Sequence, residues 1–237
     1  MIIDLTRPQD LPNRFVHRLN AIDDLCRNNE FSEVLVEISD VSILVREIDA
    51  YCHENEIVGI HYTRAVPGSI KERGLLIRSG SEIRSAFLEE HGHRFTSEEI
   101  TLIKDRWESY FAGMQRSARD NRIFFNFTES ALGNGGAEYL IGLYGGEQVA
   151  MCFELEDPIG IKLAEIGEPL IVRCALNPSD VKTFMEYPWG KILVSSYHLS
   201  KNSEAYGIDQ DGYQSVAVAP EKIVEVKALT NQSTRTW

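Results

Sequence analysis

The spacing of hydrophobic residues changes part-way along the chain. In the first half, apolar residues recur mostly every three or four positions, whereas much of the second half carries short runs rich in β-branched and aromatic residues. Runs of helices followed by runs of strands are typical of an α+β fold. The pattern therefore predicts an α+β protein with a mixed or antiparallel sheet core and flanking helices.

Several polar residues mark the expected starts of the helices. Residues 13 to 29 show helical spacing, and the segment DVSILVREIDAYCHEN offers Asp40 as its N-cap. Ser81 is the expected cap of SGSEIRSAFLEEHG. Thr96 and Glu99 have the spacing of a capping box ahead of a long helix.

Seven apolar runs predict the strands. They are IVGI, RIFFNF, QVAMCFEL, PLIVRCAL, KILVSSYHL, YQSVAV and KIVEVKAL. Between these runs, NPSDVKTF predicts a single helix, and AEYLIGLYGGE predicts another that ends at Gly145 and Gly146. Most of the predicted sheet therefore comes from the second half of the chain.

Composition restricts the environment and the partners of the chain. No apolar run approaches about eighteen residues, and the start MIIDLTRPQDLPNRF lacks the layout of a signal peptide, so we expect a soluble cytoplasmic protein that makes no membrane contact. The four cysteines lack CxxC spacing and are expected to be reduced, buried thiols. They are Cys26, Cys52, Cys152 and Cys174.

The formal net charge of −12 disfavours a nucleic-acid partner, which needs clustered lysine and arginine. Basic residues nevertheless recur between residues 71 and 122, so a local basic face is possible, although solvated helix faces explain them more simply. They are Lys71, Arg73, Arg78, Arg84, Lys104, Arg106, Arg116, Arg119 and Arg122.

Several common catalytic motifs are missing from the sequence. There is no P-loop, GxGxxG, HExxH or GxSxG pattern and no paired Cys/His spacing, so no metal site is predicted. The GNGG segment at 133 to 136 could cradle a phosphate, but a flexible loop explains it better because no strand directly precedes it. His91 and His93 are expected at a helix end.

The segment IHYTRAVPGSIKERGL combines a strand end with a short helix. His61 ends the apolar run, Pro67 opens the helix, and Gly74 ends it before Leu75. Two later segments also combine an apolar strand with polar residues. In IFFNFTES an aromatic strand runs into Thr and Ser, and GYQSVAVAPEKIVEV is a late strand with one polar position.

These three segments, taken in order, resemble the ADP-ribosyltransferase superfamily. The likeness is greatest to the branch with a His-x-Thr first motif, as in the DNA-targeting ADP-ribosyltransferase toxins. The resemblance covers about residues 56 to 229 and implies an ADP-ribosyltransferase-like domain with a split mixed or antiparallel sheet. Residues 1 to 55 would then be a helical N-terminal extension and 230 to 237 a polar tail.

The resemblance implies that NAD is the substrate and that the first motif binds it. In the family, the histidine bonds the adenosine ribose and the backbone beside it bonds the nicotinamide amide, and these roles fall to His61 and Tyr62. A neutral imidazole offers one donor and one acceptor, which suits a ribose diol. Thr63 or Arg64 would hold the turn or meet a phosphate, and Arg64 is the better anion partner.

The second segment would supply the aromatic ring that stacks on nicotinamide. The candidates are Phe125 and Phe127, although aromatic residues in a half-buried strand usually belong to the core. A phenyl ring lacks the hydroxyl of the family's usual tyrosine, so any lost hydrogen bond would come from Thr128 or Ser130.

The third segment places Gln214 where active family members carry the catalytic glutamate. A carboxylate there would bond the nicotinamide-ribose hydroxyl and stabilise the positive charge of the transition state, whereas an amide only accepts the hydrogen bond. Three explanations stay open: a low-activity or binding-only protein, an engineered substitution, or a shifted register in which Glu204 or Asp211 is the acid.

The resemblance thus implies an NAD-dependent ADP-ribosyltransferase or NAD glycohydrolase, and enzymes of this kind are frequently bacterial toxins or defence effectors. The chain would transfer ADP-ribose to a protein, a nucleic acid or water, and the loop SKNSEAYGIDQDGYQ would contact the target. Two alternatives are a catalytically silent module that binds NAD or ADP-ribose, and an interaction protein. In the latter, the N-terminal helices would bind an antitoxin or a second copy.

Overall fold

The computed structural model describes residues 1–66 and 68–229, and within them the chain forms both helices and a sheet. The helices are α1 (Asn13–Asn20), α2 (Asp23–Asn28), α3 (Ser32–Val36), α4 (Ser39–His53), α5 (Ser69–Arg73), α6 (Gly80–His91), α7 (Ser97–Tyr110), α8 (Met114–Arg119), α9 (Ser130–Gly133), α10 (Glu138–Gly142), α11 (Gly146–Val149), α12 (Pro158–Ala164) and α13 (Pro188–Lys201). The strands are β1 (Ile2–Ile3), β2 (Glu56–Ala65), β3 (Ile123–Asn126), β4 (Glu168–Leu176), β5 (Val181–Lys182), β6 (Asp211–Gln214) and β7 (Ile223–Ala228).

The strands form one mixed sheet. Their order is β5-β6-β3-β2-β4-β7, and β1 pairs with β2 outside this path. The β1–β2 pair is parallel, whereas β2–β3 and β5–β6 are antiparallel. The predicted α+β class with a mixed sheet is therefore confirmed at this level.

The chain divides into two compact units, each built from discontinuous segments. Unit 1 contains 1–60, 124–130 and 174–214, and unit 2 contains 61–123, 131–173 and the described residues from 215 onward. The N-terminal helices thus belong to the same unit as α13, so this division cuts across the boundary predicted between residues 55 and 56. The predicted tail at 230–237 lies outside the described residues, as does Pro67.

Helices α4 and α13 form the centre of unit 1. Helix α4 buries Val41, Leu44, Val45, Ile48 and Cys52 at the spacing expected of one helix face. Opposite, Gly190 lies against the backbone of α4, because a Cβ atom there would fall 2.0 Å from the Val45 carbonyl oxygen. A larger residue at this position would separate the two helices.

The buried carboxylate of Asp49 joins these helices at the start of α13. Its Oδ1 accepts hydrogen bonds from the backbone N–H groups of Trp189 and Gly190, at 2.9 and 3.2 Å. These donors belong to the first turn of α13, where no intrahelical acceptor is available. Burial raises the pKa of Asp49, and the two N–H groups and nearby His53 oppose that rise only in part.

Unit 2 has a separate aromatic core contributed by α6, α7 and the segment from α10 to α12. Phe87 and Trp107 meet edge to face at a centroid distance of 5.8 Å. The Trp107 indole N–H donates to the Val149 carbonyl at 2.9 Å, which satisfies its polar group inside the core. The remaining members are Phe95, Ile103, Phe111, Leu143, Ala150, Phe153, Ile159, Leu163 and Ile166.

Two predicted strands and one predicted helix are wrong. KILVSSYHL lies within α13, which begins at Pro188. Apolar residues cover most of the surface of this helix, so its sequence does not show the helical spacing of apolar residues. QVAMCFEL forms the end of α11 and turns, and its apolar residues enter the core of unit 2 without strand pairing. NPSDVKTF forms a 3-10 turn followed by β5, because Asn177 accepts from Ser179 N–H and closes a local turn.

Most helix starts were close to their predicted positions, but several caps differ. Ser79, not Ser81, caps α6 in a reciprocal capping box with Glu82, and Asp40 lies in the first turn of α4 instead of capping it. The capping box of Thr96 with Glu99 is confirmed.

The helices near the glycines also differ from the predicted ones. The first, α10, ends at Gly142, before Gly145, whose φ of 89° places it in the left-handed region just ahead of α11.

None of the described helices combines the length and apolar character needed to cross a bilayer.

Replacing Asp49 tests the junction of α4 and α13. Asp49→Ala leaves two buried N–H donors without their acceptor and should lower the free energy of unfolding by about 2 to 4 kcal/mol. Asp49→Asn keeps an acceptor oxygen and serves as the matched control, with a change of less than about 1 kcal/mol at neutral pH. Urea unfolding measures both.

Comparison of Asp49→Asn with the wild type tests the raised pKa of Asp49. The folded state holds the Asp49 proton more tightly than the unfolded state, so this group contributes less stability as pH rises from its ordinary pKa of 3.8 through its folded value. The Asp49→Asn variant has no carboxyl group at this position, so its stability does not fall with rising pH for this reason. Its stability relative to the wild type should therefore improve with rising pH, and a constant difference would contradict the assignment.

Candidate functional site

The three strands that carry the sequence motifs are consecutive in the sheet. Strand β3 lies between β2 and β6, and Ile60 of β2 pairs with Asn126 of β3. The resemblance rests on these three segments. Within unit 1, the Phe124–Tyr213 and Thr128–Asp209 contacts place the residues that lead into β6, and not Gln214 at its end, beside the polar end of β3.

The aromatic residues of β3 divide between its two faces. Phe124 contacts the Tyr213 ring of β6 at 5.6 Å on one face, while Phe125 lies on the other, where a Cβ at Gly59 would approach its ring to 3.1 Å. Phe125 and Phe127 are each 1% exposed, and Phe127 meets the Trp189 ring edge to face at 4.8 Å. Both predicted stacking rings thus belong to the core of unit 1, and their contact with nicotinamide stays a prediction.

Gln214 ends β6 as a buried polar residue. Its side chain is 4% exposed, and its Cα pairs with that of Val181. The two acids considered for a shifted register, Glu204 and Asp211, are exposed. Unit 1 therefore offers an amide, and not a carboxylate, at the buried end of this strand.

A small polar cluster follows β3 on the surface of unit 1. The Thr128 hydroxyl donates to Asp209 Oδ1 at 2.7 Å and also contacts the Ser130 hydroxyl. Thr128 and Ser130 are the residues predicted to replace a tyrosine hydroxyl. Asp209 comes from the loop expected to contact the target, so this loop is fixed to the end of β3.

The other side of that loop is fixed by buried hydroxyl and imidazole groups. Ile208 N–H donates to the Ser195 hydroxyl at 2.7 Å, and Ser195 donates to Ser32, which bonds His198 Nδ1 at 2.8 Å. Ser32, Ser195 and His198 are at most 1% exposed. A serine bonded to a histidine could act as a nucleophile with its base. Here no substrate can reach the buried hydroxyls, so the network has a structural role. Sequence reasoning missed the network, since Ser32 lies 163 and 166 residues from Ser195 and His198 along the chain.

The remaining predicted site residues belong to unit 2. His61 and Thr63 are half-buried on β2, and Tyr62 is 3% exposed. The structure thus assigns His61, Tyr62, Thr63 and Arg64 to unit 2, and it assigns the others, Phe125, Phe127, Ser130 and Gln214, to unit 1.

Arg64, the predicted phosphate partner, donates hydrogen bonds to two backbone carbonyl groups. Its Nε–H donates to the Ile166 oxygen at 2.9 Å and its Nη1 to the Ile141 oxygen at 3.3 Å. Burial lowers the pKa of the guanidinium, and the charge of Glu168 opposes that effect. No carboxylate within salt-bridge distance of Arg64 is present among the described residues.

Arg64 also lines a cavity of about 230 Å³ in unit 2. Gly135 of the GNGG segment and Glu138 of α10 contribute to its wall. The other lining residues are Ala131, Leu132, Ala137, Ile141, Gly142, Leu155 and Pro169. The cavity is therefore apolar apart from one cation and one anion.

The Gly74–Leu75 end of the first motif contacts the chain that follows β6. Leu75 and Val218 exchange two backbone hydrogen bonds of 2.9 Å, within unit 2. Gly74 has a φ of 68°, and a Cβ there would fall 2.0 Å from the Val218 carbonyl oxygen. A glycine is thus required here for two independent reasons.

Several basic residues that suggested a nucleic-acid surface are neutralised by acids of unit 2. Arg106 lies 2.6 Å from Asp157, and Arg116 and Arg119 lie 3.5 and 3.6 Å from Asp120 and Glu147. These pairs reduce the positive potential available to a phosphate backbone. In the described part of the chain, no group of three or more His, Cys, Asp or Glu side chains is arranged to hold a metal ion.

Comparison with known proteins adds no identification. No protein-family model, curated protein or solved structure matches the chain.

Substitution of Gly74 tests how the first motif is fixed. Gly74→Ala should destabilise the protein by about 3 kcal/mol or more, because it combines a disfavoured φ with a backbone clash. Gly68→Ala is the matched control: its φ of 87° is also disfavoured, but no atom lies within 4 Å of the added carbon. That control should cost about 1 to 2 kcal/mol. Equal losses on urea unfolding would contradict the close approach to Val218.

Proposed function

We propose that this chain is an NAD-dependent ADP-ribosyltransferase-like protein. It cleaves the bond between nicotinamide and ribose C1′, nicotinamide leaves with the bonding electrons, and a nucleophile on a macromolecule or a water molecule bonds to C1′. The observation that carries the proposal is the adjacency of β2, β3 and β6, the three strands whose motifs suggested the family. The reciprocal pairing of Leu75 with Val218 supports it.

Most residues of the three motifs keep the roles that the resemblance gave them, whereas Arg64, which bonds two backbone carbonyl groups, is not assigned to NAD in this proposal. His61 would bond the adenosine ribose and the Tyr62 backbone the nicotinamide amide, while Phe125 or Phe127 would lie under the nicotinamide ring. The Ser130 hydroxyl, already oriented by Thr128, would supply a hydrogen bond near that ring. The loop fixed by Asp209 and Ile208 would face the acceptor, because rigidly held loops commonly carry recognition.

Gln214 limits the activity expected of this site. An amide can accept a hydrogen bond from the ribose hydroxyl, but it brings no negative charge to stabilise the oxocarbenium-like transition state. Slow cleavage of NAD is therefore expected. The same residue favours a second candidate function, in which the chain binds NAD or ADP-ribose and acts through recognition alone.

The proposal places the protein in the cytoplasm, and it includes a role as a toxin or defence effector. The four cysteines are free thiols, and Cys26, Cys52 and Cys174 are buried as expected, while Cys152 is partly buried. Free thiols suit a reducing compartment that also contains NAD.

Changing Gln214→Glu tests the assignment of the catalytic position. A carboxylate at this strand end should raise the rate of nicotinamide release about tenfold or more, because it adds the missing charge. The assay follows nicotinamide released from NAD under single-turnover conditions.

Gln210→Glu is the matched control for that experiment. Gln210 is 7% exposed, close to the 4% of Gln214, but it precedes β6 and its amide donates to Asp211. An increase confined to Gln214→Glu supports the proposal. An equal increase in both variants, or no release from either, would contradict the role of Gln214.

Titration of the wild-type chain with NAD separates the enzyme from the silent module. We expect calorimetry to show NAD binding that His61→Ala weakens about tenfold, whereas His53→Ala on α4 leaves it unchanged. Binding without release of nicotinamide would favour the module. An absence of binding would reject both functions and favour the interaction protein.

A further inference from the structure

The cavity in unit 2 contains an arginine with donors left over. A guanidinium has five N–H donors, and Arg64 uses two of them on the Ile166 and Ile141 carbonyls. Among the described residues, no further acceptor and no carboxylate within ion-pair distance engages Arg64. Arg64 is half-buried and lines the cavity, so an anion that enters the cavity can use the remaining donors.

The carbonyl bonds also fix the direction of the guanidinium. Ile166 and Ile141 belong to different segments of unit 2, and their oxygens hold Nε and Nη1 at the same time. A guanidinium positioned in this way loses little conformational freedom when a carboxylate binds to its remaining edge. The site is therefore preorganised for a planar, two-oxygen anion.

The size and lining of the cavity restrict the rest of the ligand. An apolar cavity of about 150 Å³ accepts a benzene molecule, so about 230 Å³ has room for a six-membered ring with one carboxylate. Leu132, Ile141 and Leu155 supply apolar contacts. A whole dinucleotide exceeds this volume, since cavities for drug-sized ligands are typically about 300 Å³ or larger.

We propose that this cavity binds a small monocarboxylate with a compact apolar body, whose carboxylate pairs with Arg64. The site is additional to the NAD reaction proposed above. Glu138 lies in the wall and is exposed, so its negative charge weakens the binding of an anion but not of a neutral molecule.

Calorimetry with cyclohexanecarboxylate tests the proposal, with cyclohexylmethanol as the uncharged control of similar shape. The carboxylate should bind about tenfold tighter than the alcohol, because a charge-assisted pair with arginine is lost in the alcohol. Equal affinities, or no measurable binding of the carboxylate, would overturn the proposal.

Two variants that leave Arg64 in place sharpen the test, since replacing Arg64 itself also removes two structural hydrogen bonds. Glu138→Gln should tighten the carboxylate about two- to fivefold and leave the alcohol unchanged. Leu132→Trp fills the cavity and should weaken both ligands about tenfold or more, with thermal unfolding and nicotinamide release preserved. Unchanged carboxylate affinity in Leu132→Trp would place the ligand elsewhere and overturn the assignment.

Competition with NAD decides whether the site is a separate one. Cyclohexanecarboxylate should bind with the same affinity in saturating NAD as without it. Displacement by NAD would mean that Arg64 binds part of the dinucleotide, and it would overturn the proposal of an additional site.

Discussion

The contact between α4 and α13 positions much of unit 1. Gly190 allows the backbone of α13 to approach Val45, and the Asp49 carboxylate satisfies the first N–H groups of α13 inside the core. The Ser195 hydroxyl of α13 then holds Ile208 in the loop that precedes β6, and Asp209 of that loop bonds Thr128 after β3. The polar groups of the candidate site in unit 1 are therefore linked to a buried carboxyl group far from them in sequence.

In unit 2, backbone contacts position the residues of the first motif. Gly74 and Leu75 lie directly against Val218, so the short helix of the first motif is held by main-chain hydrogen bonds and by the absence of a side chain. Arg64 similarly bonds two carbonyl groups. The contact of Gly74 and Leu75 with Val218 needs a particular backbone geometry more than particular side chains, which explains why the spacing of the first motif predicted the glycine stop.

The sequence predicted local features well and long-range features poorly. The capping box at Thr96, the glycine stop at Gly74 and strand β4 depend on neighbouring residues and were found. Helix α13 was missed, because a helix buried on most sides has the continuous apolar run that also marks a strand. Asp49 was missed as well, although an acid beside the apolar face of α4, four residues after Val45, was a usable signal.

The central proposal is that the chain binds NAD through residues of its three motifs. The most direct test is a titration of isotope-labelled protein with NAD, followed by amide resonances in NMR spectra. We predict the largest shifts at the Tyr62 backbone amide and the Gln214 side-chain amide, the two groups assigned to nicotinamide and its ribose. Shifts that leave both groups unchanged while NAD binds elsewhere would contradict the account.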